Sequence, residues 1–305
     1  MYPVILASPP VGRPTQATDW RGLSITWEGP DGQTWDLTDR AGGVLLTAQG
    51  LEGLHNPRIT KYASASRAIP GKRLRGWRAE ARDVFWPLYI WADGSTAWRD
   101  RQQEFFDSIT PDREGTWRVK AGEEERRLSL TGVFLDTHRY NFDPLITGWA
   151  TYGVALEAAQ PFWEGEPRTR GPWGSPNPVP FFPAGGGPPL RISSASTVEN
   201  ATIPNTGNVE AYGAWTLNGP LSDIVLGVGD ALNVIPFSLE AGETLLIDTD
   251  PRRPSASING VDSTTALGLQ EWAPIPPGAE VPLHVAATGN GNVSFALTPL
   301  YLRAF

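Results

Sequence analysis

The chain has 305 residues and a net charge of −8, with 33 Gly, 29 Pro and no Cys. Its Gly and Pro content stays below the roughly 25–30% typical of disordered low-complexity chains, and 40% hydrophobic residues are enough to build a core. The lack of Cys excludes a disulfide framework and a thiolate nucleophile, and the acidic balance argues against a protein that mainly holds duplex DNA.

The start of the chain predicts neither an export signal nor a membrane anchor. The first ten residues, MYPVILASPP, lack a basic segment and reach two prolines before an apolar core can form. The longest nearly unbroken apolar run, from Val84 to Ala92, is far shorter than the roughly 20 residues that a membrane-spanning helix needs. We therefore expect no cleaved signal and no membrane insertion.

Residues 1–165 are predicted to form a mainly β domain that begins with a hairpin. Apolar and polar residues alternate over 23–27 and again over 35–37, on either side of an Asp-Gly turn. Two alternating runs joined by such a turn are typical of an antiparallel hairpin. Similar runs at 128–130 and 152–158 predict two later strands of the same domain.

A basic stretch lies between Asn56 and Arg82, where eight Lys and Arg side chains accompany a single acid, Glu80. Ser64-Ala65-Ser66 and Pro70-Gly71 predict a loop in its first part, and its second part enters a strand. A phosphate site, a contact with an acidic partner surface and a solvated loop are all compatible with this charge. We favour the partner contact, because ordered Arg side chains suit pairing with carboxylates. The candidate interface residues are Arg58, Lys61, Arg67, Lys72, Arg73, Arg75 and Arg78.

The next segment predicts a buried strand followed by a helix. The strand covers 84–92, and Pro87 indicates an edge or bulge position because it cannot donate to a ladder. Ser95 is a candidate N-cap of the helix, which is expected to end before Pro111. The apolar residues on one face of this helix are Trp98, Phe105, Phe106 and Ile109. We expect this face to cover one side of a sheet.

The clearest break in the chain is the segment 166–189, in which eight residues are Pro and five are Gly. Neither a helix nor a central strand is expected to run through it, since proline removes donors and glycine lowers order. We interpret it as a linker or arm between a domain of residues 1–165 and a domain of residues 190–305. Its aromatic side chains are too apolar for free solvation and are predicted to dock on a neighbouring domain or subunit. These candidate docking residues are Trp173, Phe181 and Phe182.

Residues 190–305 show no helical period. Short apolar runs recur about every 8–12 residues and are separated by turn residues such as Asn259-Gly260. This spacing predicts an antiparallel β-sandwich. The whole chain is therefore predicted to be mainly β, of the α+β kind, with one packed helix in its first domain.

No residue pattern indicates catalysis, a metal site or a cofactor. The three His residues are His55, His138 and His284, which are far apart, and none belongs to a ligand motif. No nucleophile elbow, P-loop or complete dinucleotide-binding motif occurs. Asp248-Thr249-Asp250 has the form of a metal-binding pair, but its place after an apolar run favours a turn at the end of a strand. We expect a protein that is not an enzyme and binds no cofactor.

Four stretches of the chain are informative in combination. They are GPDGQTWDLT (Gly29–Thr38) with the GGVLLTAQGLEGLHNPRI that follows it, Asp83–Val119, Thr151–Glu166, and the group Asn205–Pro220, Ala241–Gly260 and terminal YLRA. In this order, over nearly the whole chain, they resemble the distal tail proteins, a minor tail protein family of long-tailed actinobacterial phages (siphophages). Two departures from the family pattern, Asn208 in place of Asp and Gly213 in place of Pro, concern local turns.

The resemblance implies a structural virion protein at the distal end of the tail, made in the cytoplasm of the bacterial host. In such proteins a barrel- or sandwich-like first domain forms a ring, usually a hexamer, that joins the tail tube to the baseplate or tail tip. The second domain is a galectin-like sandwich. The implied partners are further copies of the chain, the tail tube protein, the tail-tip hub (tail-associated) protein and other minor tail or receptor-binding proteins, with DNA only passing through the channel.

A closed ring needs head-to-tail contacts between unlike patches. The basic stretch is the candidate for one such patch, reaching either the neighbouring subunit or the tail tube. The alternative function is a carbohydrate-binding module that contacts the host surface, since 13 Trp side chains offer rings on which sugars stack. Most Trp residues occupy alternating or helical core positions, however, which leaves Trp173 and Trp272 as candidates for a sugar platform.

Overall fold

The computed structural model describes residues 20–133, 140–174 and 195–305, which form two compact units. Unit 1 contains the described residues up to Glu164 together with Leu302–Phe305, and unit 2 runs from Gly165 to Tyr301. Strands dominate both units, so the prediction of a mainly β protein is confirmed. Within the described ranges, no helix has the length and apolar character needed to span a membrane.

The strands of unit 1 are β1 (Leu23–Glu28), β2 (Thr34–Asp36), β3 (Val44–Leu46), β4 (Ile59–Ser66), β5 (Ile69–Ala79), β6 (Arg82–Trp91), β7 (Gly115–Ala121), β8 (Glu124–Val133), β9 (Trp149–Ala158) and β10 (Trp163–Glu164). Its helices are α1 (Ser95–Asp107) and α2 (Pro144–Thr147). Seven strands form an antiparallel sheet in the order β2-β1-β7-β8-β9-β6-β3, while β4 and β5 form a separate two-stranded sheet. The runs predicted at 128–130 and 152–158 lie in β8 and β9, as expected.

The predicted N-terminal hairpin is confirmed. β1 and β2 pair so that Trp27 lies opposite Trp35. The turn closes through a hydrogen bond from the Gly29 amide to the Gln33 carbonyl at 2.8 Å. Gly32 in this turn has a φ of 81°, a backbone conformation that glycine adopts without steric cost.

Buried tryptophans fill much of the core of unit 1. The ring centroids are 5.3 Å apart for Trp27 and Trp86, 5.4 Å for Trp86 and Trp117, and 4.9 Å for Trp117 and Trp163. Edge-on and tilted contacts of this kind are the ones that aromatic rings prefer. The high Trp content of the sequence is thus explained in good part by core packing.

Helix α1 lies where the sequence predicts a helix, but its cap differs. Ser95 is the first helical residue and Gly94 is the N-cap, with no side-chain hydrogen bond at this end, so the predicted Ser95 cap is wrong. Trp98 and Phe105 are buried, and the indole of Trp98 donates a 3.2 Å hydrogen bond to the Ile90 carbonyl of β6. The apolar face of the helix therefore covers the sheet at β6.

The predicted edge or bulge at Pro87 is wrong. β6 lies between β9 and β3, and its pairing with β9 continues through Pro87 without a register shift. The amides of Phe85 and Trp91 both donate towards the β3 side of β6, so the nitrogen of Pro87 faces that side too. Because β3 ends at Leu46, the missing donor falls at the end of a short strand.

The strands of unit 2 are β11 (Arg168–Gly174), β12 (Ala195–Pro204), β13 (Gly213–Asn218), β14 (Leu221–Val228), β15 (Ala231–Val234), β16 (Thr244–Asp248), β17 (Ser255–Ile258), β18 (Val261–Asp262), β19 (Glu280–Gly289), β20 (Asn292–Leu297) and β21 (Leu300–Tyr301), with helix α3 (Thr264–Leu267). All of these strands except β21 lie in two antiparallel sheets, β11-β20-β13-β16-β17-β18 and β12-β19-β14-β15. Buried and half-buried residues alternate along β13 and β20, and the rings of Trp215 and Phe295 meet at 4.5 Å. Two sheets that each bury one face in a compact unit agree with the predicted sandwich.

The predicted linker of residues 166–189 differs in its first part. Arg168–Gly174 forms β11, an outer strand beside β20. The register shifts between Arg170 and Trp173, so Pro172 occupies a bulge on an edge strand, where a missing donor is tolerated. Residues 175–194, with the docking candidates Phe181 and Phe182, lie outside the described residues.

Candidate assembly interface

The seven cations predicted as an interface lie on or beside the hairpin formed by β4 and β5. The turn is at residues 67–68, where the Ser66 hydroxyl accepts a 3.2 Å hydrogen bond from the Ala68 amide. The predicted loop at Ser64–Ser66 and Pro70-Gly71 is therefore wrong, because both segments are in strands. The sequence lacks strand alternation here for a physical reason: both faces of the hairpin are exposed, so neither has to be apolar.

One face of the hairpin, here called the basic face, carries the side chains of Tyr62, Arg73, Arg75 and Arg78. Arg78 lies opposite Thr60, and Arg73 lies opposite Ser64. Thr60, Tyr62 and Ser64 alternate along β4 and therefore share one side of the hairpin with these two arginines. Arg75 occupies a register shift and donates a 3.0 Å hydrogen bond from Nε to the Ser64 hydroxyl, which places it on this side. Three guanidinium groups thus share one exposed surface.

The other face of the hairpin, here called the apolar face, carries Ile59, Leu74 and Trp77 beside Lys61 and Lys72. Lys61 lies opposite Trp77, and Lys72 lies opposite Ala65, on the same side as Leu74. Leu74 is 59% exposed and Trp77 is 49% exposed. Side chains of this size are common at protein interfaces, where a partner removes them from water.

Most charges of the hairpin have no partner of opposite sign in the described part of the chain. The exception is Arg78, whose Nη2 lies 2.9 Å from the Glu80 carboxylate, and this hydrogen bond raises the pKa of Arg78. Glu80 also accepts from Thr60, and the two contacts lower the pKa of the Glu80 carboxyl. No ion pair within the described residues holds Lys61, Arg67, Lys72 or Arg73, so these cations are available to a partner. They are all exposed, as are Arg58, Arg75 and Arg78.

Arg82, the last cation of the basic stretch, belongs to the core. The residue is 2% exposed, and its guanidinium donates to the carbonyls of Pro161 at 2.7 Å, Gly53 at 2.8 Å and Leu302 at 2.9 Å, and also to that of His55. Burial lowers its pKa to about 10, so the group stays charged at neutral pH. It fixes the base of the hairpin to three other segments.

No feature of the sequence predicts that the last residues, Leu302–Phe305, belong to unit 1. The Ala304 amide donates to the Leu54 carbonyl at 2.8 Å, and Arg126 donates to the Arg303 carbonyl at 2.9 Å. Arg303 in turn donates to the Asn56 side chain at 3.2 Å. Most of these contacts use backbone carbonyls as acceptors, which every residue has. The sequence therefore cannot indicate which segment the chain end contacts.

The other sites considered from the sequence are a metal-binding pair and a sugar platform. Among the described residues no three His, Asp or Glu side chains form a group that could hold a metal ion. Asp248 accepts a 3.0 Å hydrogen bond from the Asp250 amide, and Asp250 pairs with Arg252, as in a turn at a strand end. Trp173 and Trp272, the candidates for a sugar platform, are both half-buried.

Known structures share this fold. The chain aligns with the Dit protein of phage SPP1 at a TM-score of 0.59 and 16% identity, over 91% of this chain and 98% of that chain. Two structures of the phage p2 baseplate in its activated conformation, with Sr and with Ca, contain matches at TM-scores of 0.54 and 0.52 and identities of 12% and 14%, over 90% of this chain and 97% of those chains. No protein-family model and no curated protein sequence matches the chain. At these identities the likeness is one of architecture: over nearly its whole length, the chain has the fold of SPP1 Dit and of the phage p2 baseplate chains.

Proposed function

We propose that the protein is a distal tail protein, a structural component of the tail tip of a long-tailed phage. The observation that carries this proposal is the fold likeness to SPP1 Dit, which extends over nearly the full length of both chains. That protein is described as a paradigm of the hub adsorption apparatus in phages that infect Gram-positive bacteria. The sequence motifs agree with it and point to an actinobacterial host.

In this role, copies of the chain form a closed ring, with six copies as in the family that the sequence resembles. The ring connects the tail tube to the tail-tip hub and to other minor tail or receptor-binding proteins, and DNA passes through its channel. A structural part of this kind works by shape and contact and needs no catalytic group.

The hairpin of β4 and β5 is the proposed contact surface for ring assembly. Its exposed, unpaired cations and its exposed Trp77 and Leu74 give it the composition of an interface core with a charged rim. A hairpin that packs on nothing else in the described part of unit 1 has no evident structural role of its own. Contacts between unlike patches on neighbouring copies close a ring.

Charge reversal on the basic face tests this proposal. We expect the triple variant Arg73→Glu, Arg75→Glu, Arg78→Glu to remain a folded monomer and to lose ring assembly. The three carboxylates that replace the exposed guanidinium groups would repel an acidic partner surface. The matched control reverses three exposed arginines elsewhere, Arg40→Glu, Arg99→Glu and Arg253→Glu, and should assemble normally. Sedimentation velocity measures assembly, and circular dichroism measures folding. Normal assembly of the hairpin variant would show that the hairpin is not the contact surface.

A further inference from the structure

The solvent side of strands β8, β9 and β6 carries a mixed acidic and apolar surface, here called the acceptor face. It consists of Glu52, Asp83, Phe85, Val133 and Glu157, all of which are exposed. Phe85 lies opposite Ala155, which lies opposite Val133, so these residues form one row across the three strands. Glu52 continues this row on the other side of Phe85, through a bridge between their backbones.

The second row of the acceptor face places two carboxylates directly opposite each other. Asp83 of β6 faces Glu157 of β9, which in turn faces Thr131 of β8. The amide and carbonyl of Phe85 both bond to Glu52, so Phe85 and its second neighbour Asp83 form non-hydrogen-bonded pairs with β9. Side chains approach each other most closely in pairs of this kind.

Like charges directly opposite each other destabilise a sheet. No ion pair in the described part of the chain involves Glu52, Asp83 or Glu157. Between the acids, Phe85 and Val133 are 37% and 40% exposed. The ring of Phe85 lies over Gly153, because a Cβ added to Gly153 would come within 2.5 Å of the Phe85 Cζ. The absence of a side chain at Gly153 therefore makes room for this ring on β9. Carboxylates without an ion-pair partner around exposed apolar side chains form a surface that suits a cationic and apolar partner.

We propose that the acceptor face binds the β4–β5 hairpin of a second copy of the chain. Both features that the acceptor face requires are present on the basic face of that hairpin: the exposed guanidinium groups of Arg73, Arg75 and Arg78, and the ring of Tyr62, which is 48% exposed. Three exposed carboxylates meet three exposed guanidinium groups, and the side chains of Phe85 and Val133 meet the ring of Tyr62. The two patches are unlike and belong to one chain, so copies join head to tail as ring closure requires. This inference rests on the proposed function and specifies which surfaces meet.

The test uses two full-length variants with opposite charge changes. One is the hairpin variant with Arg73, Arg75 and Arg78 changed to Glu. The other is the acceptor variant Glu52→Arg, Asp83→Arg, Glu157→Arg, which keeps a like-charged pair on the sheet and so leaves that repulsion in place. We expect each variant alone to associate roughly tenfold or more weakly than the wild type by sedimentation velocity.

Mixing the two variants in equal amounts gives the decisive result. In an alternating assembly every Glu hairpin meets an Arg face and every Arg hairpin meets a Glu face, so we expect association to return close to the wild-type level. The control variant Asp93→Arg, Asp112→Arg, Glu240→Arg changes three exposed acids elsewhere and should associate like the wild type alone. A mixture that stays dissociated would overturn the inference, since it would show that hairpin and face do not contact each other.

A milder variant keeps the inference testable if the Arg substitutions disturb folding. Changing Asp83 to Asn and Glu157 to Gln removes the opposed charges, so the monomer should melt at the same or a higher temperature while association weakens. A purely structural role for these acids would not produce opposite changes in the two measurements. If the acceptor variants associate like the wild type while the hairpin variant does not, this inference fails and the hairpin keeps its proposed role. If the hairpin variant also associates normally, the interface assigned under the proposed function fails as well.

Discussion

Arg82 joins segments of unit 1 that are far apart in the sequence. Its guanidinium donates to carbonyls at Gly53, His55, Pro161 and Leu302, and no carboxylate takes part among these contacts. Buried charges are stable only when hydrogen bonds replace their hydration, and here backbone oxygens do so. This side chain links the base of the hairpin to the chain end.

We expect Arg82→Met to lower the free energy of unfolding of unit 1 by roughly 3 kcal/mol, because several buried carbonyls lose their donor. The measurement is equilibrium denaturation in urea. Arg73→Met removes the same group from an exposed position and should change the stability by no more than about 0.5 kcal/mol. Equal effects of the two changes would mean that the Arg82 network contributes nothing.

The sequence distinguished the residue types of the basic stretch but not their roles. Arg82 stands in a run of eight basic residues with nothing to separate it from Arg78, and its burial depends on carbonyls of distant segments. Ser95 has the right residue type for an N-cap, yet the N-cap is the preceding residue, Gly94, and Ser95 is already helical. Roles that depend on backbone geometry or on distant partners were therefore out of reach.

Among the elements, strands with one buried face were predicted well, whereas of the two strands with both faces exposed only the second part of β5 was predicted. β1 and β9 alternate because one side of each faces the core. The hairpin of β4 and β5 has no core side, so the order of its apolar and basic residues does not follow a buried face. The candidate interface could be found because its cations are close together in the sequence. The residues of the acceptor face come from separate segments, so the sequence did not bring them together.

The hairpin is also the element whose order should depend most on assembly. Among the described residues the strands of this hairpin pair only with each other, and an isolated two-stranded sheet is only marginally stable in water. We expect amides of residues 59–79 to exchange with solvent fast in the monomer and several-fold more slowly in the assembled ring, as measured by hydrogen exchange at low and high protein concentration.

The central strands β13 and β20 of unit 2 provide the internal control for this exchange measurement. Both are paired on each side and carry buried residues, so their protection should not change with concentration. Exchange over 59–79 that stays equally fast after ring formation would place the contact surface elsewhere on the molecule.

At the scale of the whole molecule, two observations of different kinds agree. The sequence motifs resemble distal tail proteins over nearly the whole chain, and the fold matches SPP1 Dit over 91% of it despite 16% identity. A fold alone does not fix a function, so the role as a ring-forming tail component remains our proposal. The structure adds what the motifs could not contain, namely two exposed surfaces on one chain, which we propose bind each other between copies.

The mass and symmetry of the purified full-length protein test the central claim most directly. Native mass spectrometry gives the number of copies, and negative-stain electron microscopy shows their arrangement. We predict a closed ring with a central channel, with six copies, that dissociates as the salt concentration rises because charged pairs hold its contacts. A strict monomer at high protein concentration, or an open filament, would contradict the account.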